Sequence, residues 1–84
     1  MNIYVGNLNY KVDENDLKGI FKEYGTVSSA KVITDKFTGR SKGFGFVEME
    51  DSQDANKAIH DLNGATLEER EMIVNEAKPR RSSY

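Results

Sequence analysis

The sequence contains no cysteine among its 84 residues, which excludes a disulfide framework and any thiolate metal site. It has one histidine, His60, and one proline, Pro79. With no histidine pair, no cysteine and no Walker-type loop, there is little from which to build catalysis or a metal centre. No apolar run approaches the length of a membrane span. The opening residues, MNIYVGNLNY, lack the basic leader and apolar core of a signal peptide. These absences lead us to expect a soluble cytoplasmic protein that is not an enzyme and needs no cofactor, metal or membrane. A chain of 84 residues makes one small domain with a single core, and at that size every buried apolar residue counts.

A net charge of −2 argues mildly against a polyanionic partner, but the distribution is polarised. Lys31, Lys36, Arg40 and Lys42 fall within residues 31–46 against Asp35 alone, and Lys78, Arg80 and Arg81 follow near the end with no acid among them. Between them, Glu48, Glu50, Asp51, Asp54, Asp61, Glu68, Glu69, Glu71 and Glu76 face only Lys57 and Arg70. A solvated charged surface accounts for part of this pattern, not all of it.

Residues 2–6, NIYVG, alternate Ile3 and Val5 with Tyr4 and Gly6, as a strand does. Asp13 is the expected N-cap of a helix, with Asp16 three residues on. Leu17, Ile20, Phe21 and Tyr24 share one helical face, and Gly25 is the expected stop. Gly19 sits inside this helix at a cost of about 1 kcal/mol. VSSAKVIT is a second strand, DKFTGRS a polar loop able to move, and KGFGFVEM a third strand. Ser52 is expected to cap a second helix with Ala55, Ala58, Ile59 and Leu62 on its apolar face, closed by Asn63 and Gly64. A loop or short hairpin over 65–71 leads to a fourth strand, MIVNEA. Pro79 ends it, and residues 80–84 are expected to form a short, basic, disordered tail after a domain spanning 1–79.

The order βαββαβ, with right-handed crossovers, places both helices on one side of a four-stranded antiparallel sheet. The expected fold is thus an α+β, ferredoxin-like, two-layer sandwich with one sheet face uncovered. Ile3, Val5, Ala30, Val32, Val47, Met49, Met72 and Val74 form a consistent inward set. Gly43 and Gly45 share that parity, where a missing side chain lets a helix approach. The opposite parity exposes Tyr4, Gly6, Lys31, Ile33, Lys42, Phe44, Phe46, Glu48, Ile73 and Asn75. Two alternatives stand against this. Phe44 and Phe46 could be core, which would turn Val47 and Met49 outward, or the rings could be covered by the tail or a second copy. Exposed rings flanked by cations suit single-stranded nucleic acid, because unpaired bases stack on them while Lys and Arg neutralise phosphates.

IYVGNL (Ile3 to Leu8) and KGFGFVEM (Lys42 to Met49) resemble the two ribonucleoprotein motifs of the RNA recognition motif family. The first agrees at every position. The second departs only at Met49, where an aromatic is usual and the side chain points inward. Together with DL…IF…YG in the first helix and A…AI..LNG in the second, the resemblance spans residues 2–79, and the chain is similar to compact bacterial proteins with a single such domain. It implies binding of single-stranded RNA, with single-stranded DNA as second candidate, by a monomer engaged in post-transcriptional RNA handling. Tyr4 and Phe46 resemble the pair that stacks two successive bases. Phe44 resembles the ring between their sugars, and Lys42 the phosphate partner. Asn75, Ala77 and Lys78 stand where the end of the fourth strand hydrogen-bonds a base, partly through backbone groups. Lys31, Lys36 and Arg40 are candidates to embrace the strand from the side.

Glu69 occupies a turn position often glycine in the family, Ile73 one often polar, and Glu48 and Glu76 bring negative charge toward the expected RNA path. Two other functions fit the same scaffold. Acylphosphatases resemble it but need an arginine after the first strand, where NLNYKV offers Lys11 and asparagines. Protein-binding members of the family typically lack the sheet aromatics that are present here.

Overall fold

The computed structural model describes residues 1–77; Lys78, Pro79 and the expected tail lie outside the described residues. The elements are β1 (Asn2–Gly6), α1 (Glu14–Lys22), β2 (Val27–Thr34), β3 (Ser41–Met49), α2 (Ser52–Leu62), β4 (Thr66–Leu67), β5 (Arg70–Glu71) and β6 (Ile73–Glu76). The main sheet runs β2-β3-β1-β6 with every neighbouring pair antiparallel, and β4–β5 is a separate small hairpin. Both helices send their apolar stripes into one core with the inward residues of the sheet. This is the expected α+β sandwich.

α1 starts as its sequence dictates. Asp13 accepts from the Asp16 N–H, the Asp16 carboxylate accepts in return from the Asp13 N–H, and the acidic first turn suits the helix dipole. Its end differs from expectation. The cap is Glu23, and Gly25 is not in the left-handed region that a C-terminal glycine usually occupies. A side chain at Gly25 would instead collide with Asp54. α2 is capped by Asp51 rather than Ser52, because the Asp51 carboxylate accepts from the N–H groups of Gln53 and Asp54. The expected closure at Asn63 and Gly64 holds, with Gly64 at φ +88°. The last strand is shorter than expected: Met72 and Ala77 flank it.

Ile3, Val5, Val47, Met49 and Val74 are essentially sealed from solvent beneath Leu17, Phe21, Ala55 and Ala58. Gly45 faces the same way. A Cβ there would strike the Lys31 carbonyl and come within 3.1 Å of Val32 Cα and 3.2 Å of Leu17 Cδ1. The edge strands are shielded by side chains from the helix ends. Glu14 Oε2 accepts from the Val32 N–H of β2 at 3.3 Å, and Asn63 Oδ1 accepts from the Val74 N–H of β6 at 3.0 Å. Each takes up a donor that would otherwise invite another strand. Between the helices, burial and the negative charge of Asp61 push the half-buried Tyr24 phenol above its ordinary value of 10.0.

The turn joining β4 to β5 carries strain that its residues do not relieve. Glu68 (φ 50°) and Glu69 (φ 67°) are both left-handed, the geometry of a turn that favours Asn-Gly. Gly19, by contrast, faces open space, with no atom within 4 Å of where a Cβ would sit. Glu69→Gly and Gly19→Ala should each raise the unfolding free energy by about 1 kcal/mol in urea denaturation, and additively, since nothing links the two sites. A loss of stability in either would contradict this account of the strain.

Candidate nucleic-acid interface

The β1–β3 register pairs Tyr4 with Phe46, and Tyr4 also pairs with Asn75 on β6 while Phe46 pairs with Lys31 on β2. One row of the sheet therefore reads Lys31, Phe46, Tyr4, Asn75 across all four strands, on the face away from the helices. Phe44 adjoins this row. The ring centroids lie 6.0 Å apart for Tyr4–Phe44, 5.8 Å for Tyr4–Phe46 and 6.2 Å for Phe44–Phe46, tilted or edge-on in every case. Such pairs favour offset and edge contacts over a sandwich, so the three rings brace one another. Phe46 remains 39 % exposed, whereas Tyr4 and Phe44 are half-buried.

Gly6 was expected to be exposed and is buried. The Tyr4 ring lies across it, with Cε2 only 2.8 Å from where a Cβ would be. The bare glycine thus lets the tyrosine lie down on the strand. The reading in which Phe44 and Phe46 are core is contradicted by the burial of Val47 and Met49.

β3 does not run straight into this face. From Val32 to Thr34, a step of two residues along β2 is matched by four along β3, Gly45 to Ser41. The extra residues, Lys42 and Gly43, make a bulge. Gly43 is at φ +86°, its N–H donating to Ser41 Oγ at 3.0 Å and its carbonyl accepting from the Leu8 N–H at 2.8 Å. Bulges re-aim side chains, and here Lys42 comes to line clefts beside Phe44.

The other expected site residues divide. Lys31 is exposed and in register with Phe46. Arg40 lines a cleft with Lys42 and Phe44. Lys36 is exposed in the β2–β3 turn and lines neither cleft. Ala77 has its N–H bonded to the Asn2 carbonyl at 2.8 Å, so that donor is already used by the sheet. Lys78 lies outside the described residues. Glu48 does stand on the ring-bearing face, in register with Asn2 and Ser29. Glu76 does not: it pairs with Ile3, whose side chain is in the core, and so has the parity of the helix side. Ile73 is 47 % exposed, adding apolar surface at the β6 edge as expected.

Three residues escaped the sequence reading. Tyr10 is 68 % exposed in the β1–α1 loop, and Phe37 is 97 % exposed in the β2–β3 turn. That turn is not a loose loop. Asp35 Oδ1 accepts from the Phe37 and Thr38 N–H groups and the Asp35 carbonyl from Gly39. The third is Arg70, counted in the sequence as a minority charge. Its Nη2 donates to Asn7 Oδ1 at 2.8 Å while Asn7 Nδ2 donates to the Glu71 carbonyl at 2.7 Å. An aromatic outside every periodic pattern was the available signal for Tyr10 and Phe37; for Arg70 there was none.

Comparison with known proteins agrees with this geometry. The sequence model of the RNA recognition motif matches residues 3–73. The chain belongs to the RNA recognition motif family. It is 51 % identical over 80 residues to the Synechocystis sp. protein named "Putative RNA-binding protein RbpA", covering 95 % of this chain and 79 % of that one. The crystal structure of RNA binding protein PG1 superposes with a TM-score of 0.93 at 58 % identity, covering 98 % of this chain and 99 % of the other. The Rna15 RRM with bound RNA (GU) gives a TM-score of 0.83 at 29 % identity, covering 98 % of this chain and 87 % of that one.

Asn7 is itself left-handed at φ 56°, and its amide joins the first strand's end to the hairpin. Asn7→Ala should cost about 2 kcal/mol in urea denaturation through lost hydrogen bonds and strain. Asn7→Gly should cost less, since glycine removes the strain but not the lost bonds. Equal losses would show that the backbone angle contributes nothing.

Proposed function

We propose that this chain binds single-stranded RNA on the helix-free face of its sheet, as a monomer without metal or cofactor, and serves post-transcriptional RNA handling. The observation that carries the reading is the contacting trio of Tyr4, Phe44 and Phe46 on that face. It is supported by family membership, by relatives named as RNA-binding proteins and by the RNA-bound Rna15 neighbour. The domain is proposed to end near residue 79.

Two successive bases stack on Tyr4 and Phe46, each contact contributing about 1–3 kcal/mol. Phe44 fills the space at the sugars between them, and Lys42 meets the intervening phosphate. Asn75, in register with Tyr4, offers an amide to a base edge, and unpaired bases present such edges to side chains. Lys31 and Arg40 supply positive charge along the flanks. Lys36, further out in its turn, and Lys78 complete the proposed set of cations, and the Ala77 carbonyl remains a backbone acceptor. Stacking of two bases supplies about 2–6 kcal/mol, short of the roughly 8 kcal/mol of a micromolar complex. Single-domain affinity is therefore modest, and single-stranded DNA, which offers the same ring faces, is the natural competitor.

In titrations of short single-stranded RNA, Tyr4→Ala with Phe46→Ala should weaken binding at least about thirtyfold, the low end of two lost stacks, with the protein still folded. Glu48→Gln should tighten binding about twofold at low salt by removing a like charge from the phosphate path. An unchanged affinity in the folded double variant would refute the stacking assignment.

A further inference from the structure

The ring platform does not end at Phe44. Beyond it, toward the β1–α1 loop, two clefts open that share Tyr10, Lys42 and Phe44. One, of about 230 Å³, is also lined by Asn7 and Arg70. The other, of about 490 Å³, lies against the β2–β3 turn with Arg40 on its wall. Resting on the RNA reading above, we propose that this junction is a further nucleotide subsite, with the next phosphate along the strand held by Arg70 and a base against Tyr10.

Three independent features point to that ligand. The first is a held cation. Arg70 is fixed by Asn7, whose left-handed backbone and second hydrogen bond, to the Glu71 carbonyl, fix Asn7 in turn. One guanidinium nitrogen is thereby occupied, and no other group among the described residues takes up the rest of the donor fork, which suits a phosphate. The second is an aromatic left open: Tyr10 shows 68 % of its surface although the chain has a core in which to bury rings. Ring faces exposed beside cations match the base-and-phosphate repeat of a single strand.

The third feature is continuity. Lys42, re-aimed by the Gly43 bulge, lines both clefts together with Phe44, so a strand leaving the platform at Phe44 passes between Lys42 and Arg70 without crossing a gap. The one carboxylate on the larger cleft, Asp35, is occupied by two backbone N–H groups, which offsets its repulsion of a phosphate. A bound strand of three nucleotides, rather than two, is the physical consequence.

The test is an NMR titration of the full chain with random-sequence RNA of two and of three nucleotides, comparing wild type with Tyr10→Ala, Tyr10→Phe, Arg70→Gln and Arg70→Lys. Lengthening the RNA should tighten wild-type binding about tenfold, with Tyr10 and Arg70 signals moving only for the longer oligomer. Tyr10→Ala should lose most of that gain and Tyr10→Phe keep it. Arg70→Gln should lose it and lower the slope of log affinity against log salt by about 0.7. Arg70→Lys, which keeps the charge but not the fork that grips Asn7, should retain the slope; this separates phosphate contact from bracing of the hairpin. Dinucleotide affinity should be the same in all variants. An equal length gain in Tyr10→Ala and wild type, or an unchanged salt slope in Arg70→Gln, overturns the subsite while the platform stands. If the dinucleotide moves no signal on β1 or β3, the platform reading fails and the subsite falls with it.

Discussion

The missing side chain at Gly45 sets which way the sheet faces. On the core side of β3 there is no room for a Cβ, because the Lys31 carbonyl, Val32 Cα and Leu17 of α1 already occupy the space. All the bulk of the central part of this strand must then stand on the other side, as Phe44 and Phe46 do. A slip of one residue would exchange the faces completely. It would drive the two rings into Leu17 and turn out Val47 and Met49, each worth about 1.5–3 kcal/mol when buried. Core packing and the open aromatic platform are consequences of one parity.

The surrounding polar side chains keep that platform in place. Asp13, Asp51 and Asn63 satisfy helix ends or edge donors, and Glu14 covers the β2 edge. Asn7 and Asn9 reach across to the carbonyls of Glu71 and Glu68, tying the β4–β5 hairpin to the end of β1. Asp35 orders the β2–β3 turn. A surface ordered before its ligand arrives loses less entropy on binding. Charge is sorted by the same topology: β-strand alternation puts Glu48 on the platform side and Glu76 on the helix side, so only one of these carboxylates opposes a polyanion there.

Much of this was legible in the residues. Period-two alternation in NIYVG and KGFGFVEM, the helical spacing of Leu17, Ile20 and Phe21, and the Asp13–Asp16 box each state their local geometry, and the burial found here follows them. What escaped depends on where individual side chains settle, which residue spacing does not state. The burial of Gly6 requires the Tyr4 ring to lie down on it. Glu76 is a different case, since alternation from the inward Val74 already puts it on the helix side. The shift of the α2 cap from Ser52 to Asp51 is a choice between two competent neighbours, settled by which oxygen reaches two N–H groups. Arg70 gained its position from two left-handed glutamates and an asparagine more than sixty positions away in sequence, a pattern no composition or periodicity encodes.

The central claim is that the rings of Tyr4 and Phe46 are contact surfaces for unstacked bases, not merely solvent-facing packing. Intermolecular nuclear Overhauser effects between their ring protons and the base protons of a bound single-stranded RNA test this directly. Cross-peaks from both rings to two adjacent nucleotides are the expected result. Cross-peaks confined to residues of α1 and α2, with none to either ring, would contradict it.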